Sequence, residues 1–286
     1  MTPTLSPNPI TDLNALFTFP FMVNALEAGT IVAVLAAVVG WYMVLRRQSF
    51  AGHTLSVMAF PGAAGAALIG LPSTLGYYLA CGGAALLMRS RRWSIRSRSG
   101  SQTETVTIAT VQTLGLAAGF LFLSLNNAVL GGTETLLFGT FLGVSRGQVL
   151  ALLIVALVVL ALIALAARPL LLETIDPEAA RARGLPVALL DAGFLLLLAA
   201  AVAATSQITG ALLVFALLVA PAAAAQQVTM RPALGLVLSV VFALAIVWLG
   251  LGIAYFSIYP VGFYVTSIAF AVYLAARLAR TVKRAR

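Results

Sequence analysis

Residues 149–167 read VLALLIVALVVLALIALAA, nineteen apolar residues between Gln148 and Arg168. A helix needs about 20 such residues to cross roughly 30 Å of hydrocarbon. The stretch belongs to a longer apolar run over about 135–167, with a break expected near Arg146. Eight further runs surround it, at about 21–45, 54–71, 75–88, 105–125, 187–205, 208–225, 233–256 and 261–278. The chain therefore reads as an all-α, polytopic membrane protein with eight or nine spans.

Composition agrees. Of 286 residues, 62% are hydrophobic and 9% charged, and the mean hydropathy is +1.06. A soluble domain carries about 25% charge, so a soluble enzyme and a disordered linker are both excluded. One cysteine, Cys81, permits no internal disulfide, and one histidine, His53, permits no multi-histidine metal cage within the chain. The single lysine, Lys283, is followed by Arg284. A Walker phosphate loop needs Gly-Lys-Ser/Thr, so ATP hydrolysis by that route is not expected here.

Residues 1–20 are polar, hold no Lys or Arg, and read as an extracytoplasmic tail rather than a secretory signal. The membrane-spanning region is then 21–278, and 279–286 is a basic tail. With the amino terminus outside, the cytoplasmic segments are 46–53, 89–104, 168–186, 226–232 and the carboxyl-terminal tail. Every Lys and Arg except Arg146 then lies inside. That asymmetry sets orientation and explains the net charge of +9 without a nucleic-acid partner. The basic loop 89–98 reads as a topology signal, with Trp93 as an interface anchor.

Pro61 and Pro221 lie inside apolar runs, where each removes a backbone donor and predicts a kink or break. Gly62, Ala66 and Gly70 recur at helical spacing and predict a close helix contact within the chain. In the polar stretch 168–186, Asp176 can cap free amides, Pro177 suits a first turn, Glu178 favours the positive helix pole, and Gly184 suits a stop. A short helix of about two turns at the cytoplasmic surface follows.

Three stretches together carry a family resemblance. They are Val44 to Arg47 followed by Gly52 to Gly62, Thr174 to Pro186, and Thr209 to Ala225, where Pro221-Ala222-Ala223 stands in a long fixed pattern. In order and spacing they resemble the zinc/manganese-type permease family of bacterial ABC importers, over about residues 21–275. The resemblance implies a homodimeric pore in the bacterial cytoplasmic membrane, importing a zinc or manganese ion. It also implies two copies of a separate cytoplasmic ATPase that uses the ATP, and an extracytoplasmic metal-binding protein. No cofactor is then bound by this chain. The short helix would be the coupling element, with Asp176, Glu178, Ala179, Ala180, Arg181 and Gly184 facing the ATPase task.

In the family pattern the position of His53 is usually Asp and that of Val57 usually His. Here one ligand type is changed and the other lost. His53 is the first candidate for the metal path. Glu27, near the outer end of the first span, and Glu134, in an outer loop, could attract a cation to the entrance. Asp191 reads as a local group at a helix start. An ion-coupled carrier working without an ATPase is the alternative, but its spans would need ionisable groups that this chain almost lacks. A serine protease built on Ser56 and His53 lacks an evident acid partner and oxyanion motif.

Overall fold

The computed structural model describes residues 17–89, 101–126, 136, 139 and 141–285. Glu134, most of the basic loop 89–98 and most of the tail 1–20 lie outside the described residues.

The described helices are α1 (Pro20–Leu45), α2 (Ser49–Leu68), α3 (Ser73–Arg89), α4 (Ser101–Leu125), α5 (Arg146–Ile175), α6 (Pro177–Ala182), α7 (Val187–Val228), α8 (Pro232–Tyr255) and α9 (Val261–Ala285). Five of them, α1, α5, α7, α8 and α9, are long and apolar enough to cross a membrane by length and composition. The helices α2, α3 and α4 are richer in small and polar residues and pack beside them.

α7 has 42 residues, about 63 Å at 1.5 Å per residue, which is twice a membrane core. Its backbone leaves the helical region at Gly210 (φ 76, ψ 162), a conformation essentially confined to glycine. The two ends of α7 return to one level of α1. Asp191 meets Arg46 at 2.9 Å, and Gln226 Nε2 donates to the Trp41 carbonyl at 3.4 Å. The segments 187–209 and 211–228 are thus two crossings joined at Gly210.

Contacts between helix ends give the direction of the other crossings. α5 begins beside α1 with Arg146 near Glu27 and ends with Glu173 on Arg46, so the two run parallel. Asn126, after α4, donates to the Ala67 carbonyl at the end of α2, so α2 and α4 point the other way. Trp248 of α8 donates to Thr30, and Arg280 of α9 donates to Gln227. The nine described crossings therefore alternate as the charge pattern requires, and among the described residues Arg146 is the cation at the end opposite Arg46.

Several local expectations are corrected. α2 and α7 continue through Pro61 and Pro221, so neither proline breaks its helix. Each proline leaves a carbonyl four residues back without its helical donor, which neighbouring packing tolerates. The break falls at Gly210 because positive φ ends a helix more decisively than one missing donor. Gly70 (φ 75) lies past the end of α2 rather than on its face. Gly62 and Ala66 do form the expected contact, against Gly76 of α3. The apolar run at 135–167 divides where expected. A 3-10 turn (Phe141–Gly143) precedes α5, which starts at a capping box in which Ser145 and Gln148 bond each other's backbone. α5 then continues through Pro169 to Ile175, so only Asp176 separates it from α6. α9 extends through the basic tail to Ala285.

The core lies between α1 and α7. Val32, Ala33, Leu35, Ala36, Val39, Leu198, Val202, Val214, Leu217 and Leu218 are all wholly buried there. α7 also packs on α2, α3, α5, α8 and α9. The lipid-facing side is carried by exposed Leu150, Ile154, Leu157, Val158 and Leu165 of α5, among others.

Candidate functional site

α6 begins and ends as its residue types dictate. The Asp176 carboxylate accepts from the Ala179 amide at 2.9 Å, and Pro177 occupies the first turn, where no donor is needed. At the other end Gly184 takes φ 73, its amide donates to the Arg181 carbonyl, and the Leu185 amide donates to the Ala180 carbonyl. That pair of bonds is a Schellman stop. Asp176, Glu178, Arg181 and Gly184 are exposed, Ala179 is half-buried, and Ala180 is wholly buried under the helix. The exposed face therefore carries Glu178 at the positive pole and Arg181 near the negative pole, both favourable. Ala180 anchors the helix to the rest of the chain.

The segment around α6 is held by an ionic node that sequence reasoning did not assemble. Arg46, the residue after α1, donates from Nη1 to Glu173 Oε2 at 2.8 Å and to Thr174 Oγ1 at 3.3 Å. Its Nη2 donates to Glu173 Oε1 at 3.2 Å and to Asp191 Oδ1 at 2.9 Å. Gln48 Nε2 joins on the same Asp191 oxygen at 2.8 Å. The Arg46 and Glu173 side chains are only 5% and 8% exposed. The guanidinium also stacks over the Phe194 ring, 5.0 Å from its centre. Burial pulls the Arg46 pKa down, but the hydrogen bonds and charges of Glu173 and Asp191 more than offset it, so the value is raised. The available signal was two acids, Glu173 and Asp191, on either side of α6 in a chain with eight acids in all. Charges at the edge of a membrane core need partners.

His53 lies on the second turn of α2, seven residues along the chain from Arg46. Its ring centre is 4.8 Å from that of Phe215 on α7, and its Nδ1 is buried with no hydrogen-bond partner among the described residues. Ser56 turns away and donates to the Gly52 carbonyl. Met58 meets Gly115 of α4. Gln112 of α4 donates to Thr54 at 2.9 Å.

At the opposite end Glu27 pairs with Arg146 at 3.2 Å, with side chains 43% and 70% exposed. The pair lies on the rim of a cavity of about 590 Å³ between α1, α5 and α8, walled by Val23, Leu26, Ile31, Val149, Leu153 and Trp248. Gly139 (φ 78) approaches the backbone of Ile208 and Thr209 so closely that no side chain would fit, which seats the outer connection on the α7 break. Next to that break the Thr205 and Thr209 hydroxyls donate to carbonyls four residues back, keeping buried polar groups satisfied. Among the described residues no three of His, Cys, Asp and Glu come together. His53, Glu27 and the α6 residues thus occupy three separate places. His53 and α6 share the inner end, and Glu27 is at the outer one.

Comparison with known proteins follows the same geometry. The family described as the ABC 3 transport family matches residues 18–280. The chain is 31% identical over 243 residues to the chelated iron transport system membrane protein YfeC of Yersinia pestis, covering 85% of this chain and 80% of that one. It is 30% identical over 227 residues to the manganese transport system membrane protein MntC of Halalkalibacterium halodurans, covering 79% and 76%. Among solved structures, PsaBC from Streptococcus pneumoniae in complex with Fab superposes with a TM-score of 0.80 at 25% identity, over 94% of this chain and 95% of that one. The alternating crossings of this chain and the family match along nearly its whole length give one conclusion: the chain belongs to the ABC 3 transport family and is a multi-pass permease of the bacterial inner membrane.

Proposed function

We propose that this chain is the membrane-spanning subunit of an ATP-driven importer that carries a first-row transition metal ion inward, with manganese as the first substrate to test and iron and zinc as the others. Two copies form the pore, a separate ATPase docks on α6 from the cytoplasm, and an extracytoplasmic protein delivers the metal. The observation that carries the reading is α6 itself. It is a short helix capped at both ends, anchored through Ala180, and presenting Glu178 and Arg181 outward at the basic end of the molecule. Relatives named for manganese and for chelated iron transport support the substrate class.

His53 is the path residue we propose, because its buried Nδ1 has no partner among the described residues and an imidazole nitrogen can ligate first-row divalent ions. The Glu27 carboxylate, engaged by Arg146, takes at most an electrostatic part at the entrance. With so few donors, the path passes the ion on rather than retaining it, and selectivity rests with the delivering protein.

The test is reconstitution in liposomes with the ATPase and the delivering protein, followed by uptake of radiolabelled manganese. Uptake should require ATP and all three components, and His53→Ala should lower it. Uphill uptake by this chain alone, without nucleotide, would overturn the reading in favour of a secondary carrier. Equal uptake by wild type and His53→Ala would remove His53 from the path.

A further inference from the structure

α1 and α2 are joined by three residues, Arg46, Arg47 and Gln48. The turn is rigidly built. Arg47 takes φ 58, a left-handed conformation that a non-glycine residue adopts only at a cost. The Arg47 amide donates to the Val44 carbonyl and the Gln48 amide to the Met43 carbonyl, closing a Schellman stop without glycine. Strain of this kind persists only where surrounding contacts over-determine it. Those contacts are the ionic node.

The Arg46 fork reaches both flanks of α6. Glu173 and Thr174 precede that helix, and Asp191 follows it. Gln48 holds the same Asp191 oxygen from the other side of the turn. The Gln48 carbonyl then accepts from the Gly52 amide at 3.1 Å, so it is also the first rung of α2. His53 is the next residue. One buried guanidinium faces two carboxylates, so without it the two would repel and the node would come apart rather than relax.

We propose that Arg46 is the positioning residue that couples α6 to the pore: it locks both flanks of the docking helix to the α1–α2 turn, so that displacement of α6 arrives at the first turns of α2. This rests on the function proposed above. A chain of charge-assisted hydrogen bonds between rigid elements is a physical carrier for such coupling.

The test uses the complete complex in liposomes, with Arg46→Lys, which keeps the charge but not the planar fork, and Asp191→Asn, which loosens one flank. Manganese uptake and ATP hydrolysis are read on the same vesicles, and hydrogen–deuterium exchange is read over 173–191 and 49–56. Arg46→Lys should assemble at wild-type yield and hydrolyse ATP within about twofold of wild type, while manganese carried per ATP falls about tenfold. Asp191→Asn should show a smaller fall in the same ratio, and exchange should quicken in both segments together. A variant whose yield and uptake fall together at an unchanged ratio of metal to ATP would overturn the proposal and leave the node a structural contact. If Arg46→Lys does not assemble, Asp191→Asn decides by the same ratio. Wild-type uptake that ignores ATP would sink the importer reading instead. In that case exchange decides the coupling: quickening confined to 173–191, with 49–56 unchanged, overturns it.

Discussion

Gly40→Ala tests whether α1 and the second crossing of α7 touch backbone to backbone. A methyl group at Gly40 would overlap the Leu218 carbonyl oxygen and lie 2.8 Å from its carbonyl carbon and 3.0 Å from its Cα. Carbon–oxygen contacts between helices normally rest at about 3.3–3.6 Å, and none of these backbone atoms can rotate away. The helices must part by about 1 Å, and a gap of that size forfeits a quarter to a half of each affected dispersion contact. Overpacking of this kind costs about 1–3 kcal/mol. The upper end applies, because Leu217 and Leu218 and their α1 neighbours Val39 and Met43 are wholly buried. Alanine returns about 1 kcal/mol of helix propensity, so the net loss is about 2 kcal/mol. At about 2–4 °C per kcal/mol for a large domain, Tm should fall by about 4–8 °C. The chain supplies its own reporter. Cys81 is the single cysteine and is wholly buried, so a thiol-reactive fluorophore in detergent solution reads unfolding directly. Gly193→Ala is the control, since nothing lies within 4 Å of its added methyl group, and it should not lower Tm. If Gly40→Ala melts at or above the wild-type temperature, the close approach is not real and the core arrangement described here is wrong.

Three further outcomes are expected. Asp176→Ala removes the cap bond to the Ala179 amide at a cost of about 1 kcal/mol; since α6 has only six residues, ATPase recovered with the chain in pull-down should drop about fivefold, and full recovery would mean that docking does not need the folded helix. Glu178→Lys places a cation at the positive helix pole on the exposed face, and should leave ATP hydrolysis running while manganese uptake falls; unchanged uptake would remove Glu178 from coupling. Glu27→Gln breaks a solvent-exposed pair worth about 0–1 kcal/mol, so Tm should hold and uptake should stay within about twofold; a tenfold loss of uptake would give Glu27 a direct part at the entrance.

Much of the candidate site was legible residue by residue. Asp176, Pro177 and Gly184 announce a helix start and stop through local backbone chemistry, which acts within a few residues. The ionic node was not legible, because Arg46 and Glu173 are 127 positions apart and nothing in either neighbourhood names the other. Pro221 was visible and pointed to a break in the wrong place. The division between the runs 187–205 and 208–225 was visible, but Gly210 is one of 24 glycines, and its positive φ and the packing of Gly139 against it mark it as the turn itself. Ala180 reads like its exposed neighbours until the fold turns it inward.

Membrane residence, the number of crossings and their orientation followed from the amino acids in order, since they depend on sums along the chain: apolar length against bilayer thickness, and Lys and Arg against the side of the membrane. Which residues meet across the bundle was decided only by tertiary structure. Contacts such as Arg46 with Glu173 and Asp191, or Gly40 with Leu218, depend on how helices of nearly uniform apolarity rotate and cross, and in such helices one face differs from another by packing shape rather than by hydropathy.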